Sequence, residues 1–115
     1  MINKLRLMAL TLLITLAGFV QAKVLIKGSS NNMPFQVEVV AEGLGVPWGI
    51  TFISREQLLV TERHGTVKLL NVETNSISAI SGAPAVFSNG QGGLLDVTIS
   101  PKYATEPWLY FTYSK

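Results

Sequence analysis

A chain of 115 residues without a cysteine cannot depend on disulfide bonds for its stability. Its formal net charge of +2 comes entirely from residues 1–22, which carry two basic residues and no acidic one. Residues 23–115 are neutral, with seven basic and seven acidic residues, so their charge gives no support for nucleic-acid binding.

Residues 1–22 have the three parts of a secretory signal peptide. Lys4 and Arg6 give a positive start, and an apolar run over residues 7–19 follows. Small or aliphatic residues then occupy the −3 and −1 positions of a cut after Ala22. A retained membrane anchor is the alternative, but the apolar run is shorter than the roughly 20 residues that a spanning helix needs. We therefore predict a periplasmic or secreted protein with no membrane association after cleavage.

Short alternations of apolar and polar residues, separated by turn residues, predict an all-β fold. Lys23–Asn32 is polar and is predicted as a loop, and Gly43–Gly49 is predicted as a break because of its glycines and proline. Arg63-His64-Gly65 has the composition of a hairpin turn. The predicted strands are Phe35–Val40, Ile50–Ile53, Leu58–Glu62, Thr66–Leu70 and Ser76–Ile80. The last four, in series and antiparallel, predict one meander sheet.

The pattern of this sheet begins again later in the chain. Thr98–Pro101, a turn and Tyr110–Thr112 repeat the order of Thr51–Ser54, a turn and Leu59–Thr61. A four-stranded unit that recurs every ~40–50 residues is typical of a β-propeller blade, so we predict a β-propeller rather than a sandwich.

Residues 23–115 supply fewer than two such blades, whereas a propeller needs about four or more. We therefore predict a signal peptide over residues 1–22 and, over residues 23–115, the N-terminal part of a truncated propeller domain. Alone, this part is expected to expose strand edges and an apolar face, and to aggregate or stay unfolded.

The stretch Phe87–Asp96 is the strongest candidate for a binding site. Its glycines at positions 90, 92 and 93 allow positive φ angles and a close approach of the backbone to a neighbour or a ligand. In a propeller this loop enters the first strand of the second blade, so it opens at the mouth of the central channel. The Gln91 amide offers two donors and one acceptor there. A spacer between strands is the alternative, and Asp96 is predicted to be a structural carboxylate bonded to turn amides.

The other polar residues give weaker indications of chemistry. His64, the only histidine, lies at the predicted turn without a visible orienting partner, so no catalytic role is predicted. The seven acidic residues are scattered without the spacing of a calcium or zinc site, and no Walker loop, dinucleotide fingerprint or serine nucleophile elbow is present. Trp48 and Trp108 flank strands and are predicted to pack in the core or between blades.

Three segments resemble, in this order, the opening of the soluble quinoprotein sugar dehydrogenases, the PQQ-dependent glucose/aldose and sorbosone dehydrogenase family. They are Val46–Ile50, Leu58–Arg63 and Gly90–Asp96. The resemblance covers residues 40–115, and its most specific part is the Gly-Gln-Gly-Gly-Leu-Leu sequence of the third segment.

The resemblance implies a six-bladed propeller in the periplasm, with calcium-assisted binding of pyrroloquinoline quinone (PQQ) over the channel mouth. In this family a histidine takes the proton from the C1 hydroxyl of an aldose sugar while hydride passes to the quinone, and the electrons then go to an acceptor. The glutamine that matches Gln91 contacts the quinone.

The resemblance also implies that most of the site lies outside this chain. The family's catalytic histidine comes in a later blade, beyond Lys115, and His64 does not correspond to it. The calcium ligands and the basic residues that pair with the quinone carboxylates come later too. Ser100 stands where relatives often carry histidine, and we expect this difference to affect a turn only. The segment alone is therefore expected to be inactive.

Two other functions remain open at this stage. A non-enzymatic propeller that binds a sugar or a protein partner on the same face would have the same blades, because a fold does not determine a function. A propeller hydrolase such as a lactonase would need clustered acids for a metal, and this segment shows none.

Overall fold

The computed structural model describes residues 23–115, and these residues are all-β, with eight strands and no helix among them. The predicted signal peptide lies outside the described residues. Within residues 23–115 no helix has the length and apolarity that a membrane crossing requires. The strands are β1 (Lys23–Ser30), β2 (Met33–Val39), β3 (Pro47–Phe52), β4 (Gln57–Glu62), β5 (Thr66–Asn71), β6 (Ser76–Ile80), β7 (Leu94–Ile99) and β8 (Leu109–Tyr113).

The predicted meander is confirmed as a four-stranded antiparallel sheet in the order β3-β4-β5-β6. Strands β4 and β5 pair without a break from Gln57 opposite Asn71 to Glu62 opposite Thr66. Gly65 closes the turn between them with a φ of 104°. The predicted break over Gly43–Gly49 is only partly correct, because β3 already begins at Pro47. Proline is tolerated as the first residue of a strand, where its missing N–H need not bond a neighbour.

The prediction of a loop over Lys23–Asn32 is wrong, because β1 forms a hairpin with β2. Asn31 and Asn32 make the two-residue turn, with φ angles of 50° and 63°. Asparagine adopts such angles more readily than most residues, and positive φ at both central positions suits the twist of a tight hairpin. Strand β1 has no regular alternation of apolar and polar residues, which is why its pattern does not indicate a strand.

Strands β7 and β8 form a separate two-stranded sheet, and β7 packs against β3 and β4. The core between the two sheets is made of four side chains that are at most 3% exposed: Leu59, Val67, Leu94 and Val97. Burying a side chain of this size stabilises a fold by about 1.5–3 kcal/mol. A four-stranded meander that packs on the first strand of the next sheet is the arrangement of consecutive propeller blades. We refer to β3–β6 as the first blade and to β7–β8 as the start of the second.

The opposite face of the first blade carries a second apolar cluster. Leu58, Val60 and Leu70 form it, with partial cover from Ala41 and Leu44. The cluster lines an open groove of about 450 Å³. Leu58, Val60 and Leu70 are themselves buried, whereas Ile50 and Phe52, which line the same groove, are 62% and 54% exposed.

The predicted packing of the two tryptophans is not observed within residues 23–115. Trp48 is 45% exposed and Trp108 is 65% exposed. Trp48 lies on β3, an edge strand of its sheet, and Trp108 immediately precedes β8, an edge strand of the second blade's sheet.

Candidate functional site

The candidate site is the segment Phe87–Gly93, which we call the Gln91 loop. A tight turn shapes it, in which the Gly92 N–H donates to the Asn89 carbonyl over 2.8 Å. Gly90 has a φ of 55°. Gln91 lies within this turn and is exposed. A Cβ atom at Gly90 would have no atom within 4 Å, so the outer side of the turn is open.

Gly93 is the point at which the Gln91 loop meets the first blade. Its φ is 141°, and a Cβ atom there would lie 2.1 Å from the backbone oxygen of Arg63. The same oxygen accepts a 2.9 Å hydrogen bond from the Leu94 N–H. Both the backbone angle and the lack of space therefore require glycine at this position.

Ser114, which follows β8, holds the other side of the Gln91 loop. Its Oγ accepts a hydrogen bond of 2.6 Å from the Gly93 N–H and donates one of 2.8 Å to the Phe87 carbonyl. A Cβ atom at Gly92 would lie 2.7 Å from the same Oγ. The two ends of the loop are thus joined through one hydroxyl.

The hydroxyl of Thr61 connects the first strands of the two blades. Thr61 is completely buried on β4. Its Oγ1 accepts a 2.9 Å hydrogen bond from the Gly49 N–H and donates to the Leu95 carbonyl. A Cβ atom at Gly49 would lie 2.9 Å from the Asp96 Cα, so a side chain at this position would hold β3 and β7 apart. The strand that follows the Gln91 loop is therefore fixed by polar contacts as well as by apolar packing.

Asp96 has a local structural role, as the sequence predicts, although its partner is a strand amide and not a turn amide. Its Oδ1 accepts a 2.9 Å hydrogen bond from the Val97 N–H, and its own N–H donates to the Thr112 hydroxyl over 3.0 Å. The pairing of β7 with β8 shifts between Leu94 and Val97. A bulge leaves backbone groups without ladder partners, and these side chains supply the missing bonds.

Arg63 and His64 contact the Gln91 loop, which sequence reasoning missed. One terminal N–H of the Arg63 guanidinium donates to the Gly90 carbonyl. His64 Nδ1 lies 3.2 Å from Ser88 Oγ. The two partners are 27 and 24 residues away along the chain, so no local pattern indicates these contacts.

Ser100 caps the turn before β8. It is 5% exposed, and its Oγ accepts a 3.1 Å hydrogen bond from the Lys102 N–H.

The Gln91 loop is the part of the described residues where an exposed amide lies on a backbone fixed by neighbouring groups. The Gln91 amide is exposed on a loop whose backbone is held from two sides, and Arg63 brings a positive charge to the same loop. Among residues 23–115 no three His, Asp or Glu side chains lie close enough to hold a metal ion.

The chain matches the family model described as glucose/sorbosone dehydrogenase over residues 44–115, which is more than half of its length. It is 34% identical over 80 residues to the aldose sugar dehydrogenase YliI of Escherichia coli K12, a match that covers 69% of this chain and 22% of the relative. The chain spans 22–23% of the length of the curated relatives it matches.

Two solved structures agree with this match. The PQQ-bound aldose sugar dehydrogenase of Streptomyces coelicolor superposes with a TM-score of 0.64 and 29% identity, over 83% of this chain and 25% of that one. The apo-form of the soluble aldose sugar dehydrogenase of E. coli gives a TM-score of 0.63 and 32% identity, over 68% of this chain and 23% of that one. The chain therefore belongs to the glucose/sorbosone dehydrogenase family, and of its three sheets β3–β6 is a blade of a β-propeller and β7–β8 is the start of the next blade.

Proposed function

We propose that this chain is the N-terminal part of a six-bladed quinoprotein that oxidises the C1 hydroxyl of aldose sugars, with hydride transfer to PQQ. The observation that carries the proposal is the exposed Gln91 on a rigidly held glycine loop, in a chain similar to a PQQ-bound aldose sugar dehydrogenase. PQQ, when bound, supplies the hydride acceptor, and calcium is the metal that the family resemblance implies beside it.

Gln91 is the residue of this chain that we assign to cofactor binding. Its amide donates to a carboxylate or quinone oxygen and accepts from a protonated group, so it orients a flat ligand above the loop. The absence of a side chain at Gly90 lets the ligand approach the backbone, whereas Gly92 and Gly93 make room for Ser114 and Arg63. The catalytic histidine and the calcium ligands belong to segments beyond Lys115 in this proposal. His64 does not correspond to the family's catalytic histidine and is given no catalytic role.

The protein is proposed to act in the periplasm or outside the cell. The signal-peptide pattern of residues 1–22 and the balanced charge of residues 23–115 support this location. The electrons released by sugar oxidation then pass to an acceptor in the same compartment.

The test uses the full-length protein that contains these residues, purified without cofactor and supplied with PQQ and calcium. Reduction of an artificial dye with an aldose is the expected result, and Gln91→Ala should raise the PQQ concentration needed for half-maximal activity about tenfold or more. Gln36→Ala is the matched control, because Gln36 is exposed on β2, outside the loop.

Failure to reduce dye with any aldose would refute the dehydrogenase proposal. Sugar binding without dye reduction would instead favour a propeller that binds sugar without oxidising it.

A further inference from the structure

The turn between β4 and β5 touches the Gln91 loop and the residue before it at successive points. At Gly65, a Cβ atom would lie 3.1 Å from the Val86 Cγ2. The next residue, His64, places its Nδ1 3.2 Å from the Ser88 Oγ. Arg63 then reaches the Gly90 carbonyl. Arg63 and His64 thus contact the loop at Gly90 and Ser88, and Gly65 lies beside Val86, so the turn and this segment run antiparallel to each other.

Arg63 makes the contacts that frame Gln91 itself. Its side chain donates to the carbonyl of Gly90, just before Gln91, and its backbone oxygen accepts from the N–H of Leu94, just after the loop. The turn that carries Gln91 is therefore fixed by a side-chain hydrogen bond on one side and a backbone hydrogen bond on the other. These two bonds restrict its backbone conformation. The backbone of Arg63 is itself held, because its N–H donates to the Val46 carbonyl over 2.9 Å.

The guanidinium is held in this position at some energetic disadvantage. Among residues 23–115, its Nε atom is buried and has no hydrogen-bond partner. Burying a donor without an acceptor is unfavourable, which makes such groups rare in folded proteins. The bond from the same guanidinium to Gly90 is therefore the polar contact that accounts for its position.

We propose that Arg63 is a positioning residue for the cofactor site: it holds the Gln91 loop in the conformation that presents the Gln91 amide to PQQ. This inference rests on the proposed function, and it goes further by assigning a role to a residue that does not touch the cofactor. Gln91 binds, and Arg63 reduces the conformational freedom that the loop would otherwise lose on binding.

The test is a double-mutant cycle of Arg63→Lys and Gln91→Ala in the full-length protein without cofactor, with PQQ affinity measured by titration calorimetry. Lysine keeps the charge but loses the planar fork that reaches the Gly90 carbonyl, and the backbone bonds of residue 63 remain. Arg63→Lys alone should weaken PQQ binding about fivefold to tenfold, and in the Gln91→Ala background it should weaken binding less than about twofold. At saturating PQQ, kcat should stay within about twofold of the wild-type value.

Hydrogen exchange of residues 87–93 gives a readout that does not depend on PQQ. Faster exchange in this segment is expected in Arg63→Lys, with the melting temperature close to that of the wild type. Ser88→Ala removes a partner of the same turn and should give a smaller increase. The matched control is Arg55→Ala, since Arg55 is exposed at the turn between β3 and β4.

Unchanged exchange and unchanged PQQ affinity in Arg63→Lys would overturn the inference. An equal loss of affinity in both backgrounds would also overturn it, because Arg63 would then not act through Gln91. If the wild-type protein binds no PQQ, the proposed function is refuted. If the wild type binds PQQ and Arg63→Lys binds it equally well, only the inference about Arg63 fails.

Discussion

The β4–β5 and β1–β2 hairpins are each two antiparallel strands joined by a tight turn, yet their surroundings differ completely. Every residue from Leu58 to Glu62 is buried, and β4 lies between β3 and β5 while packing against β7. All eight residues of β1 are exposed, and β1 and β2 form a sheet of their own. The comparison shows that strand pairing alone does not determine how much a hairpin contributes to the fold. What covers its faces determines that contribution.

The largest difference between the two hairpins is expected from removing a buried side chain. Leu59 is 1% exposed and packs with Val67, Leu94 and Val97. Leu59→Ala should lower the free energy of unfolding of the full-length protein by about 2–5 kcal/mol, because it removes apolar contacts and leaves a cavity. Val37→Ala on β2 is the control and should change it by less than about 0.5 kcal/mol. Urea denaturation measures both, and equal losses would contradict the comparison.

The next effect concerns the contact between the β4–β5 turn and the Gln91 loop. Gly93→Ala should cost about 2–3 kcal/mol, because it adds a backbone collision with Arg63 to an unfavourable φ. Gly82→Ala provides the control: Gly82 also has a positive φ, of 88°, but a Cβ atom there would have no atom within 4 Å. Thermal unfolding of both variants separates the collision from the backbone strain. If Gly82→Ala were as destabilising as Gly93→Ala, the close approach would carry no energetic weight.

A smaller effect is expected from the hydroxyl that joins β4 to β7. Thr61→Val keeps the shape of the side chain but leaves the Gly49 N–H and the Leu95 carbonyl without their observed partner. The expected loss of stability is about 1–2 kcal/mol. Thr98→Val, at an exposed position of β7, should be nearly neutral. A neutral Thr61→Val would show that apolar packing alone holds the two blades together.

The smallest effect is expected at the β1–β2 turn. Asn32→Val places a β-branched residue at a φ of 63°, which should open the hairpin locally. Hydrogen exchange of β1 and β2 should become faster, whereas the urea midpoint of the full-length protein should not move. A shift of that midpoint would show that the β1–β2 hairpin supports the rest of the fold after all.

The difference between the hairpins also explains what could be predicted from the sequence. Strands β4 and β5 are short runs rich in apolar residues, β6 alternates, and a glycine marks the turn at Gly65, so their positions follow from local pattern. Strand β1 has neither a covered face nor regular alternation. Its turn depends on the tolerance of Asn31 and Asn32 for positive φ, which composition alone does not reveal.

The candidate site could be located from the sequence but not built from it. The glycines around Gln91 mark a loop that something approaches closely, and this signal is local. The approaching group, the backbone of Arg63, is known only once the two blades are placed side by side. The roles of Thr61 and Ser114 are hidden for the same reason, because each bonds residues at least 12 positions away.

The hydroxyl of Thr61 and the backbone oxygen of Arg63 bond two neighbouring residues of β7, Leu95 and Leu94. Apolar surfaces can slide over each other with little change in energy, whereas two directional bonds at fixed spacing set a single alignment between the blades. Insertions at the exposed residues Ser81 and Gly82, before Ala83 and Val86 pack against the core, should therefore be absorbed without moving the second blade. A change of one residue between Gly90 and Leu94 would shift the whole of β7 out of alignment, and every residue after it.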